Sequence, residues 1–303
     1  VIVLRSPELV VRLDPRHGGE ILDLVDLRTG RQLLGRPPFG SAEPVAGDLG
    51  EAEWTASYRG GWQPLLPNAG NPCVVNGSSH GFHGRASNDP WRVLTIGDLA
   101  VRLDWEGHGL HVSRRVELRR GAVAVTTEAQ AVAGRVPLVA VEHVAVGLEL
   151  LEPEVEIELP GGRAYELSEQ TGPPQPPAEA PEWPEALLLD GSVERCDRWP
   201  IERERSRLLA VADLPEGRVA VRNLARGQSL ELLWDADWLR HLWIWHETRS
   251  YGGPWRGQAE IMIVEPASVP HSLGLAAAIE HGQARWLDEG EKVSYRLEAR
   301  PGS

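Results

Sequence analysis

Residues 99–131 read LAVRLDWEGHGLHVSRRVELRRGAVAVTTEAQA, and this stretch decides the fold. Within it, residues 99–105, 111–118 and 122–131 each alternate apolar and polar side chains with a period of two, and glycines and charged residues sit between the runs. Such alternation puts one side chain in the core and the next in water, which is the signature of a half-buried strand. Working outward, the same pattern recurs at residues 8–14, 155–159, 208–212, 218–223, 229–234 and 292–299. Strand follows strand without intervening helical periodicity, so the expected fold class is all-β and antiparallel. The best helix-like stretch is short, at residues 271–281 (HSLGLAAAIEH).

A single compositional break interrupts the pattern. Residues 171–184, TGPPQPPAEAPEWP, hold six prolines and cannot form a central strand or a helix interior. Both flanks carry strand patterns, so the expectation is a long surface loop within one domain that spans residues 1–303. A chain of 303 residues buries about 75% of its unfolded surface and needs no disulfide or metal to hold a core. Its two cysteines, Cys73 and Cys196, form no disulfide framework, which makes a reducing, cytoplasmic location the expectation.

Charge narrows the function. With 31 basic residues against 44 acidic ones the net charge is -13, which argues against nucleic acid as a partner. Lys292 is the only lysine, so Schiff-base chemistry elsewhere and a P-loop are excluded. No run approaches the ~20 apolar residues of a membrane span, and the start of the chain alternates like a strand rather than a signal peptide. Twelve tryptophans stand against two phenylalanines and four tyrosines. Indole faces suit the C–H faces of a sugar ring, although most of the twelve are expected to fill the core.

Three segments stand apart from the strand background. Residues 58–91, dense in Gly, Pro, Asn and His, contain Arg59-Gly60-Gly61-Trp62 and His80-Gly81-Phe82-His83-Gly84. Loops of this composition commonly carry sites. His80 and His83 are read as sugar contacts ahead of loop-pinning groups, and a metal role ranks below both because HxxH lacks the HExxH spacing. In the second segment, Glu142-His143-Val144 lies inside an apolar run, where a lone histidine is usually a satisfied core residue. Strand geometry would put Val141, His143 and Ala145 on one face and Glu142 and Val144 on the other. The third segment, residues 242–266, clusters Trp243, Trp245 and Trp255 and places Glu265 at the end of a hydrophobic strand, with Glu247 as a rival carboxylate. Desolvation there would raise a carboxyl group towards the range of a general base, against the commoner fate of a solvated acid.

In order and spacing these motifs resemble those of the aldose 1-epimerase (galactose mutarotase-like) superfamily. Gly18-Gly19-Glu20 through Leu24 with Thr29-Gly30, the Arg59 loop with Pro67-Asn68, the His80–His83 loop with Pro90-Trp91, Glu142-His143-Val144 and Val264-Glu265-Pro266 carry the resemblance, which spans roughly residues 8–299. It implies an antiparallel β-supersandwich with a carbohydrate cleft, and interconversion of the α and β anomers of a free aldose. Residue by residue, it implies His143 as general acid, Glu265 as general base, and Arg59, His80 and His83 as contacts to sugar hydroxyls. Trp62 and Trp245 are the candidate stacking residues, and Asp235 and Asp237 the candidate acids holding a hydroxyl. The partner would be a monosaccharide, with no cofactor, metal, nucleic acid or membrane involved. Arg85, Arg249 and Arg256 are candidate helpers should the sugar carry a phosphate. The competing reading is a non-catalytic carbohydrate-binding protein on the same fold. A polysaccharide lyase or glycosidase accessory domain is the third, and a retaining or inverting glycosidase would need a carboxylate pair, for which Glu247 and Glu265 could be proposed.

Overall fold

In the computed structural model, residues 1–38, 43–168, 172–201, 204–251 and 255–302 are described. The alternating runs become strands, as expected: Ala100–Gly107, Leu110–Arg119 and Ala122–Ala131 pair antiparallel in sequence. They continue through Lys292–Gly302 into a nine-stranded sheet. A second, twelve-stranded sheet has at its centre Trp62–Leu65, Val141–Val146, Glu260–Ala267, His241–Thr248 and Arg205–Ala212, in that spatial order. These two sheets pack face to face as an antiparallel β-sandwich. Between them lies one apolar core, to which Leu103, Val112 and Leu297 contribute from one sheet and Trp62, Val144 and Val264 from the other. A second apolar cluster, including Val141, Ala145, Ile263, Trp243 and Trp255, covers the opposite face of the larger sheet.

The helix expected over residues 271–281 forms at Leu275–Glu280. The proline-rich run, described from Gly172 onward, leads from Arg163–Glu166 to Glu185–Leu187, which are neighbours in the larger sheet; Thr171 lies outside the described residues. No helix among the described residues is long and apolar enough to cross a membrane.

The alternation along Val141–Val146 is the decisive local feature. Trp62 pairs with Val144 and Pro64 with Glu142, so these four point into the sandwich. There the Glu142 carboxylate meets Arg114 of the other sheet in a two-pronged ion pair, Nη1 to Oε1 at 2.5 Å and Nη2 to Oε2 at 2.8 Å. Neither side chain has any solvent exposure. The Tyr295 hydroxyl donates to Glu142 Oε1 at 2.9 Å, Thr127 Oγ1 donates at 3.3 Å, and the Trp62 indole N–H donates to Oε2. Burying a charge pair is tolerable only with this degree of satisfaction, and removing one partner leaves the other stranded. Gly61, just before the strand, has φ +77, and a Cβ there would collide with the Ile21 carbonyl.

The same core face carries His246, opposite Arg207 and edge-on to Trp199 at 5.7 Å. Burial first, and then the Arg207 charge, lower its pKa to about 3. Between its unfolded and folded pKa values the unfolded chain binds a proton that the fold excludes, so stability falls as the pH drops through that window. Two outcomes are expected in urea unfolding. Glu142→Gln and Arg114→Met should each cost about 3–5 kcal/mol. Acidification from about pH 6 to about pH 4 should destabilise the wild type more steeply than His246→Leu, by up to ~1.4 kcal/mol per pH unit.

Candidate active site

Cross-strand partners point to the same side of a sheet, so the register defines what meets on the face away from the sandwich core. Gln63 pairs with His143, and Trp243 with Glu265. With Val141 opposite Ala267 and Val144 opposite Val264, the register carries His143 to a position opposite Glu265. One row across the sheet therefore reads Gln63, His143, Glu265, Trp243, Ala210, Tyr165. Neighbours in such a row stand about 4.5–5.5 Å apart between Cα atoms. The next row in register contains Ala145, Ile263, Trp245 and Leu208, and a third contains Ile261, Glu247 and Ser206.

Above these rows lies a cavity of about 970 Å³. His143, Glu265, His83, Trp243, Trp245 and Trp255 all line it. One wall is the helix Glu51–Ser57, which begins after Gly50, whose N–H donates to the Glu53 carboxylate at 3.1 Å. Trp54 of this helix stacks on Tyr58 at 4.9 Å between ring centroids and lies edge-on to His143 and His83. A second wall is the loop through His83. Its Nδ1 accepts the Gly70 N–H at 3.0 Å, so the neutral ring keeps its proton on Nε2. Gly70 has φ +81, and a Cβ there would overlap the Ser272 carbonyl, which ties this loop to the connection leading into the helix Leu275–Glu280. The Asn68 side chain closes the arrangement: Nδ2 donates to the Gly81 and Asn71 carbonyls and Oδ1 accepts the Leu275 N–H.

Burial dominates the electrostatics. It lowers His143 to about 3, and it holds His83 well below its usual range, helped by His143 nearby. The Tyr58 hydroxyl and His143 Nδ1 share a hydrogen bond of 3.4 Å. Burial first, and then the neighbouring Glu265 charge, push the Tyr58 phenol well above its usual range. Tyr58 is thus the group that senses both members of the pair. Among the described residues lining the cavity, Glu51, Glu166 and Glu265 are acidic and none is Arg or Lys.

Of the sequence-derived candidates, His143, Glu265, His83 and Trp245 meet at this cavity. The others are placed elsewhere. Trp62 points into the sandwich core against Glu142. Arg59 is held by Asp14 at 3.2 Å and by Glu20, in a buried polar cluster with His17 and Gln63. His80 turns away and stacks on His108 at 4.2 Å, the loop-pinning alternative. Asp235 and Asp237 lie in an exposed turn that leads from the nine-stranded sheet to the strand His241–Thr248 of the larger one, and Asp235 accepts the Asp237 N–H. The candidate phosphate helpers Arg85 and Arg249 pair with Asp89 and Glu260, and Arg256 is exposed and lines no part of the cavity. Glu247 is buried on the cavity face, where Ser250 N–H donates to it, and burial raises its pKa. Trp54 and Tyr58, which contact His143, and Gln63, its register partner, stand outside the motifs that mark the site in the sequence. Two glutamates just after Gly50 were the available sign of the short helix. No group of three or more potential metal ligands occurs among the described residues.

No family model and no curated protein sequence matches the chain. Solved structures do. A putative aldose 1-epimerase from Escherichia coli K12 superposes with a TM-score of 0.69 at 18% identity, over 99% of this chain and 97% of that one. The Slr1438 protein of Synechocystis gives 0.68 at 15% identity, over 99% and 95%. A galactose mutarotase related enzyme from Lactobacillus acidophilus gives 0.67 at 12% identity, over 100% and 97%. At these identities the likeness establishes a shared fold.

The low pKa of His143 has a direct readout. Its imidazole resonances should stay at their neutral positions from about pH 8 down to about pH 5. Histidine-selective NMR, with His143→Ala for assignment, measures this.

Proposed function

We propose that the protein is an aldose 1-epimerase, and that His143 and Glu265 carry the reaction. The single observation behind this reading is the register that puts an imidazole and a carboxylate side by side at the floor of one tryptophan-lined cavity. Opening a hemiacetal ring requires a proton to leave the anomeric O1–H and another to reach the ring oxygen O5. Rotation about C1–C2 then offers the other carbonyl face, and the transfers run backwards on closure. One base and one acid, each within about 3 Å of its oxygen, are sufficient.

In this reading Glu265 accepts the O1 proton and His143 delivers one to O5. The pair works with one proton between its members. Since the free protein holds His143 neutral, that proton is taken up in the complex, where the sugar oxygens and the facing carboxylate replace the surroundings that disfavour an imidazolium. Tyr58, bonded to His143 Nδ1, fixes the ring so that Nε2 is the atom presented to the sugar. His83 Nε2–H offers a donor to a ring hydroxyl, and the indole of Trp243, whose N–H is engaged by the Val269 carbonyl, offers its face to the sugar C–H bonds.

His143→Ala and Glu265→Gln should each lower the rate of anomer exchange by about 10²–10⁴-fold with the β-sheet circular dichroism unchanged. Polarimetry on freshly dissolved aldoses measures the rate. Wild-type exchange in both variants would overturn the assignment, and saturable sugar binding without faster exchange in the wild type would point to the binding protein instead.

A further inference from the structure

The cavity is too large for one sugar. A pyranose has about a dozen non-hydrogen atoms, whereas about 970 Å³ lies at the top of the ~300–1,000 Å³ range of pockets that enclose drug-sized ligands. The extra space is not undifferentiated. Trp243 stands beside Glu265, and Trp245 follows two residues along the same strand and on the same face, about 6.5–7 Å further on. The second row is apolar, with Ile263, Trp245 and Leu208 in register, and Trp255 lies 5.4 Å from Trp245 between ring centroids. The third row is polar: Ser206 accepts the Trp245 indole N–H at 2.8 Å and pairs in register with Glu247. An indole platform bordered by a hydroxyl is what a pyranose needs, with its C–H face on the ring and a hydroxyl partner at the edge.

Resting on the epimerase reading, we propose that Trp245, Trp255 and Ser206 form a second sugar subsite. The substrate would then be a reducing disaccharide or longer saccharide, with its reducing unit at His143 and Glu265 and its second ring on Trp245.

The test compares anomer exchange of cellobiose and maltose with that of glucose by NMR. Wild-type kcat/KM should be at least about tenfold higher for one of the disaccharides, and Trp245→Ala should bring that ratio to about one. Trp245→Leu, which keeps apolar volume, serves if the alanine variant fails to fold. Glucose exchanged as fast as either disaccharide would overturn the second subsite and leave the epimerase reading intact. If no sugar is exchanged, the epimerase reading fails, and the subsite is decided by titration calorimetry. Binding of a disaccharide at least about tenfold tighter than glucose, lost in Trp245→Ala, supports it, and equal or absent binding overturns it.

Discussion

The ion pair between Glu142 and Arg114 is the constraint on which the rest of the molecule turns. It joins the two sheets through the middle of the sandwich, and three further donors from Trp62, Thr127 and Tyr295 complete the carboxylate. Because side chains alternate along a strand, fixing Glu142 inward fixes His143 outward. A one-residue slip would send His143 into the core and strand both charges. The register towards Glu260–Ala267 then delivers Glu265 to the same row. Core and cavity are therefore two faces of a single decision about one strand.

Much of the fold was legible from alternation alone. Residues 99–131 and 292–299 became adjacent strands of one sheet because their period of two leaves only one way to bury the apolar half. The pairing of His143 and Glu265 was legible through a resemblance, not through periodicity, since long-range register is set by partners that a sequence does not name. The errors have physical causes. Trp62 follows a glycine pair that reads as a loop, yet it starts a strand, Trp62–Leu65, in which Gln63 is the residue that faces the cavity side. His80 and His83 share one turn-rich stretch, and their spacing does not separate the imidazole that lines the cavity from the one that stacks on His108. His83 has φ +60, a left-handed conformation that composition does not disclose. Arg59 has the chemistry of a sugar contact in sequence, whereas in the fold it neutralises Asp14 and Glu20, carboxylates distant in sequence. The helix Glu51–Ser57 is only seven residues long and lacks amphipathic repeats, so it escaped the periodicity test while contributing Trp54.

The electrostatic character of the cavity follows from exclusion of water more than from charge pairing. His83 and His143 both have desolvation as the first cause of their depressed pKa values. An imidazole kept neutral in this way holds one acceptor and one donor with fixed roles, which suits a partner rich in hydroxyl groups.

The chemistry and the recognition surfaces have different scaffolds. His143 and Glu265 sit on paired strands in the middle of a sheet, whereas Trp54, His83 and Trp255 come from connections between strands. Connections tolerate insertion and replacement far better than central strands do. Lineages with this architecture can accordingly diversify by exchanging wall segments while the central pair stays put, and a designer seeking altered selectivity should rebuild the segments around residues 50–57 and 80–84 before touching the sheet.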